Sequence, residues 1–310
     1  MSVSRIPDLA GHTPHAPVTP FFGHVADTLA MIDDAPTAFS TISTMKKLRQ
    51  LGLGDFGHVL WNMPCERYPK LSEMLPAMSP REVTLAWTGA EGNTLLDIGL
   101  GFVRSCADKY AEIAGQSLHG KTILDFGCGY GRFLRLFNYY SDNVFGVDAW
   151  EHSLDHCRTA GYGGMVMKID EVATTIPFGH KFDLMTAYSV FTHLSEVSTI
   201  AALKALRGAA RPGAVLVITI RPVEFWCFCH VGATHLALTE AEVARMAGAH
   251  EREGFAYYPN NSDDPDREVH YGDTSMTLGW LAAHAPGWAY RGCDRSINDQ
   301  LQTFVFLQAV

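Results

Sequence analysis

Within residues 121–133, KTILDFGCGYGRF, Asp125 is followed by glycines at 127, 129 and 131. An apolar run leads into the turn and a helix-forming run, RFLRLF, leaves it. A strand that passes through Gly-Cys-Gly-Tyr-Gly straight into a helix sets bare backbone against a ligand, because side chains at such turns block close approach. A nucleotide-like ligand is implied. A dinucleotide turn wants G-x-G-x-x-G, and here Arg132 follows Gly131, so the third glycine comes one residue early. The Walker pattern fails as well, since no Gly-Lys-Ser/Thr follows. Asp148 lies 17 residues past Gly131, at the end of a second apolar run, VFGVD. A carboxylate there can accept both ribose hydroxyls, a role that dehydrogenases share.

The rest of the chain offers few rivals to this stretch. Its 310 residues are 47% hydrophobic and 18% charged, which excludes general disorder and suits one large domain with an accessory region. A net charge of -9 without a Lys/Arg cluster argues against a broad nucleic-acid footprint. Cys227, Cys229 and His230 form a local group of metal-ligand types, but no second half at zinc spacing follows, so no metal site is expected. The polar stretch around NNSDDPD lacks the Gly and terminal Glu of a calcium loop. Seven scattered cysteines, an N-terminus without a signal-like apolar core and the lack of any membrane-length apolar run are expected of a reduced, cytoplasmic protein away from membranes.

Alternating elements must position the glycine turn. After Gly120 the texture reads ILDFG, RFLRLFNYY, VFGVDA, SLDHCRTAG, GMVMKI, FDLMTAYSV, STIAALKALRGAA and VLVITIRP. Short apolar strands separated by helices of about ten residues predict an α/β, doubly wound, mostly parallel sheet. GWAYRGCD and LQTFVFLQAV add a final antiparallel hairpin. Before Gly120 the periodicity is helical, first over residues 24–51 and again after Ser79-Pro80 with a break at Thr88-Gly89. GLGDFGH, residues 52–58, is expected to be a loop. The organisation that follows is a flexible arm at 1–20, a helical cap at 21–115 and a ligand-binding domain at 116–310.

LDFGCGYGR resembles the first motif of the class I S-adenosylmethionine-dependent methyltransferases, an apolar strand followed by D-x-G-x-G-x-G. VFGVDAW, FDLMTAYSVFTHLSE, LKALRGAARPGAVLVITI and the late strand pair fall at the intervals of that family, and SVFTHLSE looks like its branch that modifies sugars and other small natural products. The resemblance covers about residues 120–310. It implies a Rossmann-like fold, S-adenosylmethionine as cofactor and methyl transfer to an oxygen or nitrogen of a small molecule. Asp125 then sits near the methionine part, with Gly127, Cys128, Gly129, Gly131 and Arg132 forming the turn. Asp148 takes the ribose. Ala149, Trp150, Asp170 and Ser189 complete the cofactor set, Trp150 against the adenine face and Asp170 near its amino group.

Ligands collect beyond the carboxyl ends of parallel strands, which places Tyr188, His193, Arg221 and Glu224 beside the transferable methyl. His193, Tyr188 and Glu224 are the catalytic candidates. His193 is either the proton acceptor or a histidine that orders its loop. Trp87, Arg221, Phe225, Trp226 and Tyr271 are expected to shape the acceptor site, with core packing the competing role for Phe225 and Trp226. The expected partner is a small-molecule acceptor, with a homodimer left open. Two other functions compete: an NAD(P)-dependent oxidoreductase, disfavoured by the missing glycine and by Asp125, and a retired methyltransferase domain serving as a binding module.

Overall fold

A computed structural model describes residues 23–35, 40–75, 79–230, 236–260 and 269–310. The arm at 1–20 lies outside them, as does most of the NNSDDPD stretch.

The helical extension comprises α1 (Ala26–Asp33), α2 (Thr41–Leu48), α3 (Leu53–Trp61), α4 (Pro69–Met74), α5 (Arg81–Thr88) and α6 (Gly92–Ala114). The expected loop at 52–58 is instead the start of α3. Of its glycines, Gly57 is there for packing. A Cβ on Gly57 would stand 3.0 Å from Leu96 and 3.1 Å from Leu100 of α6, so a small residue lets the two helices approach. Helix breaking by glycine costs only about 1 kcal/mol, and that contact offsets it.

Beyond α6 the chain alternates: β1 (Ile123–Phe126), α7 (Arg132–Phe137), β2 (Val144–Asp148), α8 (Glu151–Cys157), β3 (Val166–Lys168), β4 (Phe182–Ala187), α9 (Glu196–Ala209) and β5 (Ala210–Ile220). An excursion follows, α10 (Phe225–His230), α11 (Glu240–Glu253), β6 (Phe255–Pro259) and β7 (Gly272–Met276), and the chain closes through α12 (Leu278–His284), β8 (Trp288–Arg295) and β9 (Thr303–Ala309). The large sheet runs β3-β2-β1-β4-β5-β9-β8, parallel except for β9 and β8, while β6 and β7 pair as a separate hairpin.

The central strands β1, β4 and β5 and their neighbour β9 are buried on both faces, which is why they read as apolar runs, while the edge strands β3 and β8 are largely exposed. Ile123, Leu184 and Val215 join Leu29, Leu48, Phe56 and Phe102 of the extension in one core. Leu124, Met185 and Leu216 face α9 and α12 in another. The N-terminal helices other than α5 thus bury apolar residues in the same core as one sheet face. No helix among the described residues is long and apolar enough to cross a membrane.

Candidate active site

A cleft holding about 250 Å3 of space opens beyond the carboxyl ends of β1, β2 and β4, roofed in part by Ser79, Thr84, Trp87 and Thr88 of the extension. Gly127, Cys128, Gly129, Arg132, Asp148, Ala149, Asp170, Tyr188, Ser189, His193 and Tyr271 all line it. Gly127 has φ 74°, and a Cβ there would stand 2.4 Å from Val190, so only glycine lets the turn pass under the loop after β4. Asp148 holds the turn from beside it, accepting from the Gly129 N–H at 2.8 Å and the Trp150 N–H at 2.9 Å. Each carboxylate oxygen keeps a further lone pair for a ligand hydroxyl. Burial raises the Asp148 pKa, and the backbone N–H groups act against that rise.

Asp125 lies beneath the turn, wholly buried. Its Oδ1 accepts from Thr186 Oγ1 at 2.9 Å, while Oδ2 has no hydrogen-bond partner. Burial pushes the carboxyl up to about 7, against the Thr186 bond and the nearby Arg132 charge. Arg132 lines the cleft with its guanidinium 4.4 Å from the Phe133 ring centroid and 5.2 Å from that of Tyr188. Burial lowers its pKa from the ordinary value. The Arg132 guanidinium can hold a carboxylate in the cleft, whereas the Asp125 oxygen lies beneath the turn and is not part of the cleft lining.

His193 meets partners at both ring nitrogens. Arg221 Nη2 lies 3.1 Å from Nε2, and a guanidinium can only donate, so Nε2 accepts. Nδ1 therefore carries the hydrogen and donates to the Gly272 carbonyl at 2.7 Å. The lone pair that a general base would use is engaged. The ring also stacks on Tyr271, with centroids 5.1 Å apart and planes 11° from parallel. Arg221 itself is buried. It pairs with Asp273, donates to the Thr192 carbonyl at 2.9 Å and lies over the Phe225 ring.

The other expected acceptor-side residues stand off the cleft. Glu224 is exposed at the start of α10, where its charge acts on His250. Phe225 and Trp226 are buried with Leu238, Met246 and Ala256 in a small core of the excursion, and Trp226 Nε1 donates to Ser275 Oγ at 2.7 Å. They support the β6–β7 hairpin that carries Tyr271 rather than forming a roof themselves. Gly131 caps the start of α7 and Trp150 stacks on Trp87, and neither of these expected cofactor residues is among those lining the cleft.

The turn between β8 and β9 brings residues that local spacing does not flag. Because β9 runs antiparallel to β5 with Thr303 opposite Ile220, that turn lies at the ligand end of the sheet. Tyr188 Oη donates to Asp299 Oδ2 at 3.1 Å, and Gln302 Nε2 donates to Ser189 Oγ at 3.0 Å. Burial raises the pKa of both Tyr188 and Asp299. Ser189 has φ 56°, held by its N–H to Thr219 Oγ1 at 2.7 Å. A left-handed non-glycine costs on the order of 1 kcal/mol, and such strain concentrates at functional sites. Among the described residues no cluster of three or more His, Cys, Asp or Glu is placed to hold a metal.

A family model described as "Methyltransferase domain" matches residues 100–262. No curated protein is similar to the chain in sequence at a significant level. Among solved structures, an amino pentose methyltransferase from Micromonospora echinaspora with S-adenosylmethionine bound is 16% identical, with 76% of this chain and 99% of that one covered at a TM-score of 0.47. A magnesium protoporphyrin IX methyltransferase from Synechocystis PCC 6803 is 13% identical over 74% and 98%, at a TM-score of 0.45. An S-adenosylmethionine-dependent methyltransferase from Mesorhizobium loti is 17% identical over 62% and 92%, at 0.44. With the family model spanning just over half of the residues, on a glycine turn and strand order of that type, the chain belongs to the methyltransferase-domain family, of the class I S-adenosylmethionine-dependent kind.

Proposed function

We propose that this methyltransferase acts on an oxygen or nitrogen of a small molecule of sugar or natural-product type. The observation that carries the donor end is a cleft lined by the glycine turn, Arg132 and Asp148, with an unsatisfied Asp125 oxygen buried beneath that turn. S-adenosylmethionine, when bound there, supplies an electrophilic methyl group on a sulfonium. In this reading Asp125 takes its ammonium, Arg132 its carboxylate, and Asp148 the ribose hydroxyls. The modest space of the cleft, about 250 Å3 and partly covered by Ser79, Thr84, Trp87 and Thr88, supports a small acceptor. Residues 21–115 are then a cap on the domain at 116–310.

Rate acceleration comes mainly from alignment of acceptor, methyl and sulfur for in-line displacement, with water excluded by Tyr188, Leu95 and Phe133. His193, its lone pair engaged by Arg221, holds Tyr271 at the cleft wall as a positioning residue. Calorimetric titration with S-adenosylhomocysteine and with NADH tests the donor. Binding of the first and not the second is expected, and the reverse would return the oxidoreductase reading. Turnover of amino sugars, hydroxylated sugars and phenols, read as release of S-adenosylhomocysteine, tests the acceptor class. Donor binding with none of them methylated would favour a retired binding module.

Asp148→Ala is expected to lower S-adenosylhomocysteine affinity about 10- to 150-fold, since hydrogen bonds to a charged acceptor contribute ~1.5 to 3 kcal/mol. The same change also releases the Gly129 and Trp150 N–H groups, so the turn loosens. Unchanged affinity by calorimetry would remove Asp148 from the ribose site.

A further inference from the structure

Trp87 belongs by position to the segment expected to face the acceptor, yet the structure stacks it on Trp150. The two indole centroids are 4.5 Å apart and their planes differ by 24°. Tyr130, from the glycine turn, stands edge-on to both, at 6.3 Å from Trp87 and 5.8 Å from Trp150. Three rings from three separate segments therefore converge next to Asp148 and Ala149, where the cleft meets the end of β2. The two indoles remain 54% and 40% exposed, unlike aromatic rings that serve a core.

The helix that carries Trp87 is weakly held. None of the described side chains of α5 is buried. Its end is a left-handed Gly89 at φ 68°, and Gly92, at φ 52°, opens α6 three residues later. Two such glycines give the connection freedom that other residues lack. The stack on Trp150 is thus a principal tie between α5 and the sheet domain.

We propose that Trp87 is a donor-site residue: with Trp150 and Tyr130 it encloses the purine of S-adenosylmethionine, and α5 is the wall that moves to admit it. This rests on the donor reading above. A ribose anchored at Asp148 sets its base within reach of the ring two residues further on. A purine presents a flat π-face, and an indole is the side chain with the largest matching face. Insertion against Trp150 requires Trp87 to yield by about one ring thickness, which the Gly89–Gly92 connection permits.

Calorimetric titration of wild type, Trp87→Ala and Trp87→Phe with S-adenosylhomocysteine and with 5′-methylthioadenosine tests the assignment. The second probe keeps the purine and ribose but lacks the amino acid. Trp87→Ala is expected to weaken both probes by the same factor, about 5- to 150-fold, the range for loss of one base-stacking aromatic. Trp87→Phe should fall between. Stopped-flow tryptophan fluorescence should show the loss mainly as faster dissociation, with part of the binding signal absent in Trp87→Phe. Wild-type binding together with unchanged affinity in Trp87→Ala would overturn the assignment alone. A wild type that fails to bind either probe would overturn the donor reading and this assignment with it.

Discussion

Asp125→Asn is expected to stabilise the ligand-free protein at pH 8 while weakening S-adenosylhomocysteine binding about 10- to 150-fold. The two effects have one cause. Burial lifts the Asp125 carboxyl to about 7, far above an ordinary aspartate near 3.9. A group whose folded pKa is raised binds its proton more tightly in the native state. Its stabilising contribution is therefore complete below about pH 4 and is lost as pH rises through about 7. Three units at about 1.4 kcal/mol each make the ionised form at pH 8 cost on the order of 4 kcal/mol. Asparagine cannot ionise and still accepts from Thr186, so the variant escapes that cost.

Binding reads the same carboxylate with the opposite sign. A ligand ammonium needs the ionised form, and the unpaired Oδ2 is the atom that would receive it. Losing a charge-assisted bond of ~1.5 to 3 kcal/mol gives the stated fold-change. In the wild type, affinity should rise with pH up to about 7 and then level, whereas Asp125→Asn should be flat across that window. 5′-Methylthioadenosine, which has no ammonium, should bind both proteins alike. Thermal melts at pH 5 and 8 and calorimetry across pH 5.5–8.5 check both halves. Equal S-adenosylhomocysteine affinity in variant and wild type would detach Asp125 from the amino-acid end.

Arg221→Met is expected to destabilise the protein by about 3 to 5 kcal/mol, the range for breaking a buried ion pair from one side. Its side chain is 8% exposed and that of Asp273 is fully buried, so the carboxylate would lose its guanidinium in a medium that solvates charge poorly. The Thr192 carbonyl and His193 Nε2 lose a donor as well. The double variant Arg221→Met/Asp273→Leu should recover most of the loss, because removing both charges also removes their desolvation cost. Denaturant unfolding measures all three proteins. A loss below about 1 kcal/mol in the single variant would mean that water reaches the pair.

The glycine turn, the strand-end aspartate and the alternation of strands and helices were legible in the chain itself. They are short-range facts. The turn between β1 and α7 needs its glycines within five residues, and a parallel sheet buried on both faces requires continuous apolar runs wherever it lies. The antiparallel end was legible as two late strand-like runs with no helix between them, of which only β9 is buried.

What only the tertiary structure decided depends on partners distant in sequence. Residues 52–58 look like a loop because glycine weakens a helix, and only the close approach of Leu96 and Leu100 shows why a helix wants glycine there. In the sequence His193 is open to being either a base or a loop-ordering histidine, and only the fold shows Arg221 and Gly272 at its two nitrogens. Asp299 and Gln302 carry no local signature. They reach Tyr188 and Ser189 because β9 inserts antiparallel between β5 and β8 and turns its beginning toward the cleft. Trp87 likewise stands beside Trp150 through the course of α5 over the sheet, not through any spacing. Backbone conformation is set by neighbours along the chain, whereas the hydrogen bonds and ring contacts that assign a side chain its work are set by topology.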